Sequence, residues 1–189
     1  MHILSGQSAQ LPDGVAHSLS VYRHKVFVDM LGWQLDTPPG IEQDQFDRSD
    51  TVYIVSHDEG GQINGCARLL PTTRPYLLGD VFPQLLNGLV PPCSPDIWEL
   101  SRFAAVDFSG QTPVASGQFS SPVTAQLLHE SIRCAGRLGA KMVITVSPLG
   151  VERLLRKLGY TARRAGPPMV IDGYPLFACL IEVPECLPK

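Results

Sequence analysis

Thr51-Val52-Tyr53-Ile54-Val55-Ser56-His57-Asp58-Glu59-Gly60-Gly61-Gln62-Ile63-Asn64-Gly65-Cys66-Ala67-Arg68-Leu69-Leu70 contains two strands and the turn between them. Val52 to Val55 is an unbroken β-branched and aromatic run that reads as a buried strand. Asp58-Glu59-Gly60-Gly61 supplies turn chemistry, and Ile63 to Leu70 is the return strand of a hairpin. Upstream, Val15, Leu19, Tyr22, Val26 and Met30 recur at three- and four-residue spacing, which predicts a helix from about Asp13 to Leu31, stopped by Gly32. A neighbouring stripe of Leu19, Arg23 and Phe27 places Arg23 beside the apolar face. Gln34 to Asp50 reads as a long loop rich in acids, and loops of that length in compact domains are usually either functional or disordered.

Downstream, Asp80 to Asn87 predicts a short helix with Pro83 in its first turn. Ile97 to Val106 is a third long strand, followed by a polar loop from Asp107 to Ser120. Ser121-Pro122 caps a second good helix that ends at Gly139. Lys141 to Ser147 is a strand, Pro148 to Leu158 a helix closed by Gly159, Tyr160 to Ala165 a strand. Met169–Ile171 and Leu176–Val183 form a final hairpin about Asp172-Gly173. Hairpins mixed with helical crossovers predict an α/β fold: a three-layer α/β/α sandwich with a mixed sheet, formed by residues 1–189 as a single domain.

The chain has 189 residues, 44% hydrophobic and 17% charged, with a net charge of −3. That supports a core and argues against a general nucleic-acid binder, which carries a basic excess. The five cysteines include no Cys-x-x-Cys pair, and the five histidines form no helical ligand pair. Neither a disulfide framework nor a metal site is therefore expected. No basic-then-apolar leader and no stretch of roughly 20 apolar residues is present, so the expectation is a cytoplasmic protein without a membrane partner. The charge is uneven. Asp29, Asp36, Glu42, Asp44, Asp47, Asp50, Asp58 and Glu59 face only Arg48 in their stretch. Arg153, Arg156, Lys157, Arg163 and Arg164 form a basic run late in the chain. Such asymmetry fits two differently charged partners, or two solvated faces.

Arg23, Arg68 and Arg102 lie in mainly apolar segments. A guanidinium stays charged, so burying it demands carboxylates, for which Asp44, Asp47 and Glu99 are candidates. The cluster then either pins the long loop to the sheet or forms a polar cavity for a small charged ligand. In a regular strand Glu99 and Arg102 point to opposite faces. If both serve one cavity, the strand needs a bulge near Leu100 to Phe103, which would also free a backbone N–H.

Several segments together resemble the acyl-homoserine-lactone synthases, the quorum-sensing autoinducer synthase family. They are Tyr22-Arg23-His24-Lys25-Val26-Phe27, Leu31-Gly32-Trp33, Glu42-Gln43-Asp44-Gln45-Phe46-Asp47, Gly65-Cys66-Ala67-Arg68-Leu69-Leu70-Pro71-Thr72, Asp80-Val81-Phe82 and Trp98-Glu99-Leu100-Ser101-Arg102-Phe103-Ala104. The hallmark positions Arg23, Phe27, Trp33, Asp44, Asp47, Arg68, Phe82, Glu99 and Arg102 are all present, and the likeness is strongest over the first 105 or so residues. The resemblance implies a fold like the GNAT N-acetyltransferases. It implies two substrates, S-adenosylmethionine and an acyl chain on acyl carrier protein. The products would be an N-acyl-homoserine lactone, 5'-methylthioadenosine and free carrier protein, with no further cofactor.

On that footing Glu99 is the candidate base for the methionine amine, and the bulge supplies oxyanion donors. The sulfonium suits the face of Trp33 and the carboxylates of Asp44 and Asp47, and the substrate carboxylate suits Arg23 or Arg102. Arg68, Phe27, Phe82, Ser101 and Phe103 complete the expected S-adenosylmethionine site. Met142, Ile144, Thr145, Val146, Leu149, Val151 and Leu155 are expected to wall an acyl tunnel, and Thr145 falls where some relatives that use 3-oxo-acyl chains carry threonine. The basic run Arg153, Arg156, Lys157, Arg163 and Arg164 suits an acidic carrier protein. Two alternatives stay open. One is an N-acetyltransferase using acyl-CoA, although Gly117-Gln118-Phe119-Ser120-Ser121 lacks the usual pyrophosphate loop pattern. The other is a domain that binds S-adenosylmethionine or carrier protein without turnover.

Overall fold

A computed structural model of the chain describes residues 2–109 and 122–185. The elements run β1 (His2–Gln7), α1 (Val15–Arg23) continued by a π-helical segment (His24–Met30), β2 (Val52–His57), β3 (Ile63–Pro71) and α2 (Leu77–Asp80). After a 3-10 turn (Pro83–Leu86) come β4 (Ile97–Ala104), α3 (Pro122–Arg137), β5 (Met142–Pro148), α4 (Gly150–Lys157), β6 (Ala162–Arg164), β7 (Met169–Ile171) and β8 (Tyr174–Glu182). The described residues form two compact units: one comprises 2–68 with those from 102 to 127, the other 69–101 with 128–185.

In the first unit β1 pairs antiparallel with β2, from His2 opposite His57 to Gln7 opposite Val52, and β2 neighbours β3. The hairpin predicted from Thr51 to Leu70 forms, its turn closed by Asp58 N–H donating to the Gln62 carbonyl at 2.9 Å. Residues Val52 to Ser56 are all buried, as an unbroken apolar run requires. The α1 stripe packs on this hairpin: Leu19, Tyr22, Val26 and Phe27 join Tyr53, Val55, Cys66, Ala104 and Val106 in one core. Tyr22 fixes the chain after β4, since its hydroxyl donates to the Val106 carbonyl at 3.1 Å and accepts from the Val106 N–H at 2.9 Å.

In the second unit the strand order is β4-β5-β8-β6, with β7 also paired to β8. β4 and β5 are parallel and joined through α3, as a parallel pair requires. β5 runs antiparallel to β8, from Met142 opposite Glu182 to Pro148 opposite Leu176. β6 and β7 are antiparallel to β8. Gly159, at φ 77°, ends α4 in the left-handed region that a glycine enters without penalty. The architecture is a mixed sheet with flanking helices, the expected α/β class.

Three local readings change. β1 was not expected. The helix predicted for residues 13–31 is α-helical only to Arg23; beyond it Leu31 N–H reaches the Val26 carbonyl at 3.0 Å and Trp33 N–H the Phe27 carbonyl at 2.9 Å, a wider winding. The helix predicted at 80–87 resolves into α2 and the 3-10 turn, because Pro83 has no N–H to continue α2. The Ser121 cap, Cys186 and residues 110–120 of the polar loop lie outside the described residues. No helix among the described residues is long and apolar enough to cross a membrane.

Candidate functional site

Three arginines and three carboxylates close into a ring inside the first unit. Arg23, the last residue of α1, donates Nε to Glu42 Oε2 at 2.5 Å and its Nη pair to the two oxygens of Asp47 at 2.8 and 3.0 Å. Arg68, on β3, reaches Asp44 Oδ1 at 2.6 Å and Asp47 Oδ1 at 3.0 Å. Arg102, on β4, reaches Glu42 Oε1 at 3.2 and 3.0 Å and Asp44 Oδ2 at 2.8 Å. Each carboxylate therefore bridges two guanidinia, and the formal charges cancel. That balance is what allows Arg23 and Arg68 to be buried.

The acidic loop carries its own supports. Glu42 N–H donates to the Ser20 carbonyl, Asp44 N–H to Asp47 Oδ2, and Phe46 N–H to Asp44 Oδ1. Tyr53 donates its hydroxyl to Asp47 Oδ1 at 2.6 Å. Burial alone would raise the Asp47 pKa, but hydrogen bonds and charge from Arg23, followed by Arg68, hold it well below the usual carboxylate range. Burial opposes the charge on Arg23, but Asp47 and then Glu42 push its pKa upward. Glu42, fully buried, was missing from the expected site. Charge counting could have found it: three buried guanidinia need three carboxylates, and Glu99 serves elsewhere.

An aromatic wall adjoins the ring. Phe27 and Trp33 stack at 4.8 Å between centroids with 26° between planes. The guanidinium of Arg102 lies 5.6 Å from the Phe27 centroid and 5.5 Å from that of Trp33. The rings thus already accept a cation. The π-helical winding puts Phe27 one wide turn before Trp33, and the Trp33 N–H bond to the Phe27 carbonyl locks the pair. Phe27 is buried, whereas Trp33 is half-buried and offers surface. Cys66 donates its thiol to the Arg102 carbonyl at 3.2 Å, and burial pushes its pKa to about 12, so it is a packing group.

Arg102 has φ 49°, in the left-handed region, at the end of β4 where a bulge was expected. The β4–β5 register runs only from Ile97 opposite Met142 to Glu99 opposite Ile144. From Glu99 to Arg102 every residue is buried, without the alternation of a regular strand. Glu99, in the second unit, accepts from Leu77 N–H at 3.0 Å and Leu78 N–H at 2.6 Å. It caps the start of α2 with both oxygens engaged. Ser101 is buried; Phe82 and Phe103 are half-buried.

The proposed acyl wall divides. Met142, Ile144 and Val146 alternate with Val143, Thr145 and Ser147, so Thr145 faces away from Met142, Ile144 and Val146. Leu155 shares a cavity of about 240 Å³ with Cys179, the cross-strand neighbour of Thr145. Leu149 is exposed and Val151 half-exposed, each at the edge of α4.

Arg156 and Arg163 line the same cavity, with Glu152, Tyr160 and Thr161. Arg153, Arg156, Lys157 and Arg163 are exposed. Arg164 is committed to Glu152 through two bonds of 2.6 Å and lies over Phe177. Among the described residues no group of His, Cys, Asp and Glu could hold a metal ion.

Residues 12–186 match the family model of the autoinducer synthases. The chain is 58% identical over 183 residues to an acyl-homoserine-lactone synthase of Acinetobacter nosocomialis, covering 97% of this chain and 100% of that protein. It is similar to the crystal structure of TofI in a ternary complex with an inhibitor and MTA, with a TM-score of 0.82, 43% identity and coverage of 97% and 92% of the two chains. It is also similar to BjaI, a CoA-dependent acyl-homoserine lactone synthase solved with SAM and isopentyl-CoA, with a TM-score of 0.81, 26% identity and coverage of 97% and 83%. An acyl-CoA N-acyltransferase of Pseudomonas aeruginosa shares the fold alone, at 18% identity and a TM-score of 0.63 over 96% and 98% of the two chains.

Proposed function

The chain belongs to the autoinducer synthase family, and from that premise we propose that it makes an N-acyl-L-homoserine lactone from S-adenosylmethionine and an acyl chain thioesterified to acyl carrier protein. The observation that carries the reading is the Phe27–Trp33 stack with a guanidinium over it, beside carboxylates held by arginines. A sulfonium has the same requirements: an aromatic face, a nearby anion and little water. Of the three ring carboxylates, Asp44 is the most accessible, with 14% of its side chain exposed against 9% for Asp47 and none for Glu42. Asp44 is therefore the one assigned to the substrate's positive charges, while Asp47 and Glu42 hold the guanidinia. Arg102, bonded to Asp44, is assigned to the substrate carboxylate, Arg68 also anchors Asp44, and Arg23 sits across the ring between Glu42 and Asp47.

In the first step the methionine amine attacks the thioester carbon, the C–N bond forms and the carrier thiol leaves. Glu99 is the proposed base, taking the amine proton through a water. In the second step the substrate carboxylate attacks its own γ-carbon, the C–S bond breaks, and methylthioadenosine departs with the electron pair. The sulfonium is already a good leaving group, so folding the chain for attack is the main demand. The exposed Arg153, Arg156, Lys157 and Arg163 are assigned to the acidic carrier protein. The same reading places the enzyme in the cytoplasm.

A second reading, acyl-CoA as donor, is favoured by the likeness to BjaI. The deciding experiment incubates the purified chain with S-adenosylmethionine and matched acyl groups on carrier protein or on CoA. Methylthioadenosine release is measured, with mass spectrometry of the lactone. The proposal expects kcat/KM at least about tenfold higher with the carrier protein; a preference for CoA overturns the donor assignment.

A further inference from the structure

Tyr76 stands at the N-cap of α2, on extended backbone at φ −144° and ψ 161°. Tyrosine is a poor residue there, because its side chain does not turn back to accept from the first helical N–H groups as Ser, Thr, Asp and Asn do. Glu99 takes that place, accepting from Leu77 N–H and Leu78 N–H. The buried phenol of Tyr76 is used differently. Its hydroxyl donates to the Pro92 carbonyl at 2.8 Å. Its ring covers Gly79 so closely that a Cβ on Gly79 would come within 2.9 Å of ring carbon Cε1.

α2 is four residues long, and a helix that short needs outside support. Tyr76 supplies it at both ends, through Pro92 and over Gly79. Thr72 braces the same loop, its hydroxyl donating to the Ile97 carbonyl at 2.7 Å and accepting from Ser94 N–H at 3.2 Å. Residues 72–78 are thus tied to residues 92–99 through Thr72, Tyr76 and Glu99. Glu99, Cys93 and Asp80 are the titratable groups that act on the phenol. Burial, and then the Glu99 charge, push its pKa up, so the hydroxyl stays protonated and donating.

We propose that Tyr76 is the positioning residue of Glu99: by fixing α2 to Pro92, its hydroxyl aims the Leu77 and Leu78 N–H groups at the carboxylate and sets both its direction and its basicity. The inference rests on the acyl-transfer reading above, in which Glu99 is the base. Hydrogen bonds to an ionised carboxylate favour the ionised form. Loosening the two donors therefore raises the pKa of Glu99 and widens the range of directions its oxygens take. A base must be ionised to act, so the acid limb of the rate profile moves to higher pH.

The test uses the full chain with S-adenosylmethionine and whichever thioester, carrier protein or CoA, the preceding experiment selects. Methylthioadenosine release gives kcat and KM across pH. In Tyr76→Phe, kcat should fall about fivefold or more, KM for S-adenosylmethionine should stay within about twofold, and the acid limb of kcat should rise by about half a pH unit or more. The substrate amine titrates alike in both proteins, so a difference between the profiles belongs to the chain. Gly79→Ala, which presses a methyl group on the ring, should move the limb the same way and replaces Tyr76→Phe should that variant not fold. Ser56→Ala removes a buried hydroxyl bond to Asn64 in the first unit, and should lower the melting temperature while leaving the limb in place. An unchanged limb in folded Tyr76→Phe, or an equal shift in Ser56→Ala, overturns the positioning role. Glu99→Gln should lower kcat about 100-fold or more. Full activity there removes Glu99 as base and Tyr76 with it, whereas that loss beside an unchanged Tyr76→Phe leaves the base standing and sinks the inference alone.

Discussion

The arginines of the first unit and those of the second are the same side chain put to opposite uses. Arg23, Arg68 and Arg102 are buried, and each is held by two carboxylates. Arg153, Arg156 and Arg163 stand in solvent, whereas Arg164 beside them is fixed by Glu152. In the ring the charges are committed before any ligand arrives, so the guanidinia serve as rigid, preorganised structure. On the α4–β6 surface the charge is uncommitted and hydrated, which suits encounter with an acidic partner. A count of basic residues sees no difference between the two sets; burial and pairing separate them.

The sharpest way to break the contrast is to remove one bridging acid. Glu42→Ala leaves Arg23 and Arg102 each short of a partner inside the core, and should destabilise the protein by about 3–5 kcal/mol in urea or thermal unfolding. Glu42→Gln keeps the shape but not the charge and should fall between Glu42→Ala and the natural chain. A loss below about 1 kcal/mol in Glu42→Ala would mean that the ring is not held by charge.

Acid gives the next largest effect. The folded pKa of Asp47 lies below its unfolded value, so its contribution is full above the ordinary carboxylate pKa and is lost as pH falls through the folded value. Stability should therefore hold from neutral pH to about pH 4 and fall below it. Asp47→Asn should start less stable and show a flatter acid limb; an unchanged limb removes Asp47 from the account.

The smallest effect on stability belongs to the exposed set. Arg156→Glu with Lys157→Glu should move unfolding by no more than about 0.5 kcal/mol. It should raise KM for acyl carrier protein about tenfold or more, with little change for S-adenosylmethionine. The effect should shrink as salt rises. An unchanged carrier-protein KM at low salt would return these residues to ordinary solvated surface.

Much of the fold was legible because its signals are local. The Thr51–Leu70 hairpin, the crossover through α3 and the Gly159 stop are each written in a few neighbouring residues. An irregularity in β4 was expected from a conflict, since Glu99 and Arg102 cannot serve one side of a regular strand; the structure has Arg102 at φ 49° and engages Glu99 with the backbone of α2. Glu42 was missed because Glu99 was counted as the third carboxylate, whereas the third acid bridging the guanidinia, Arg23 and Arg102, is Glu42. Glu99 illustrates the reverse: its carboxylate was assigned to chemistry from its motif, while its nearest donors are the backbone of α2, which no side-chain pattern announces. The wall drawn from Met142 to Val146 ignored strand alternation, which separates Thr145 from its apolar neighbours.

The π-helical winding from His24 to Met30 makes chain length itself a functional variable. An α-helix turns by about 100° per residue, and this segment holds more chain per turn than an α-helix would. Deleting one residue there could restore α-helical winding and improve local hydrogen bonding. It would also break the Trp33-to-Phe27 backbone link and carry the tryptophan off its stacking partner. Between Arg23 and Trp33 the exposed positions are thus expected to accept exchanges of side chain, Val26 and Phe27 are held by burial, and hardly any change in residue number is tolerated.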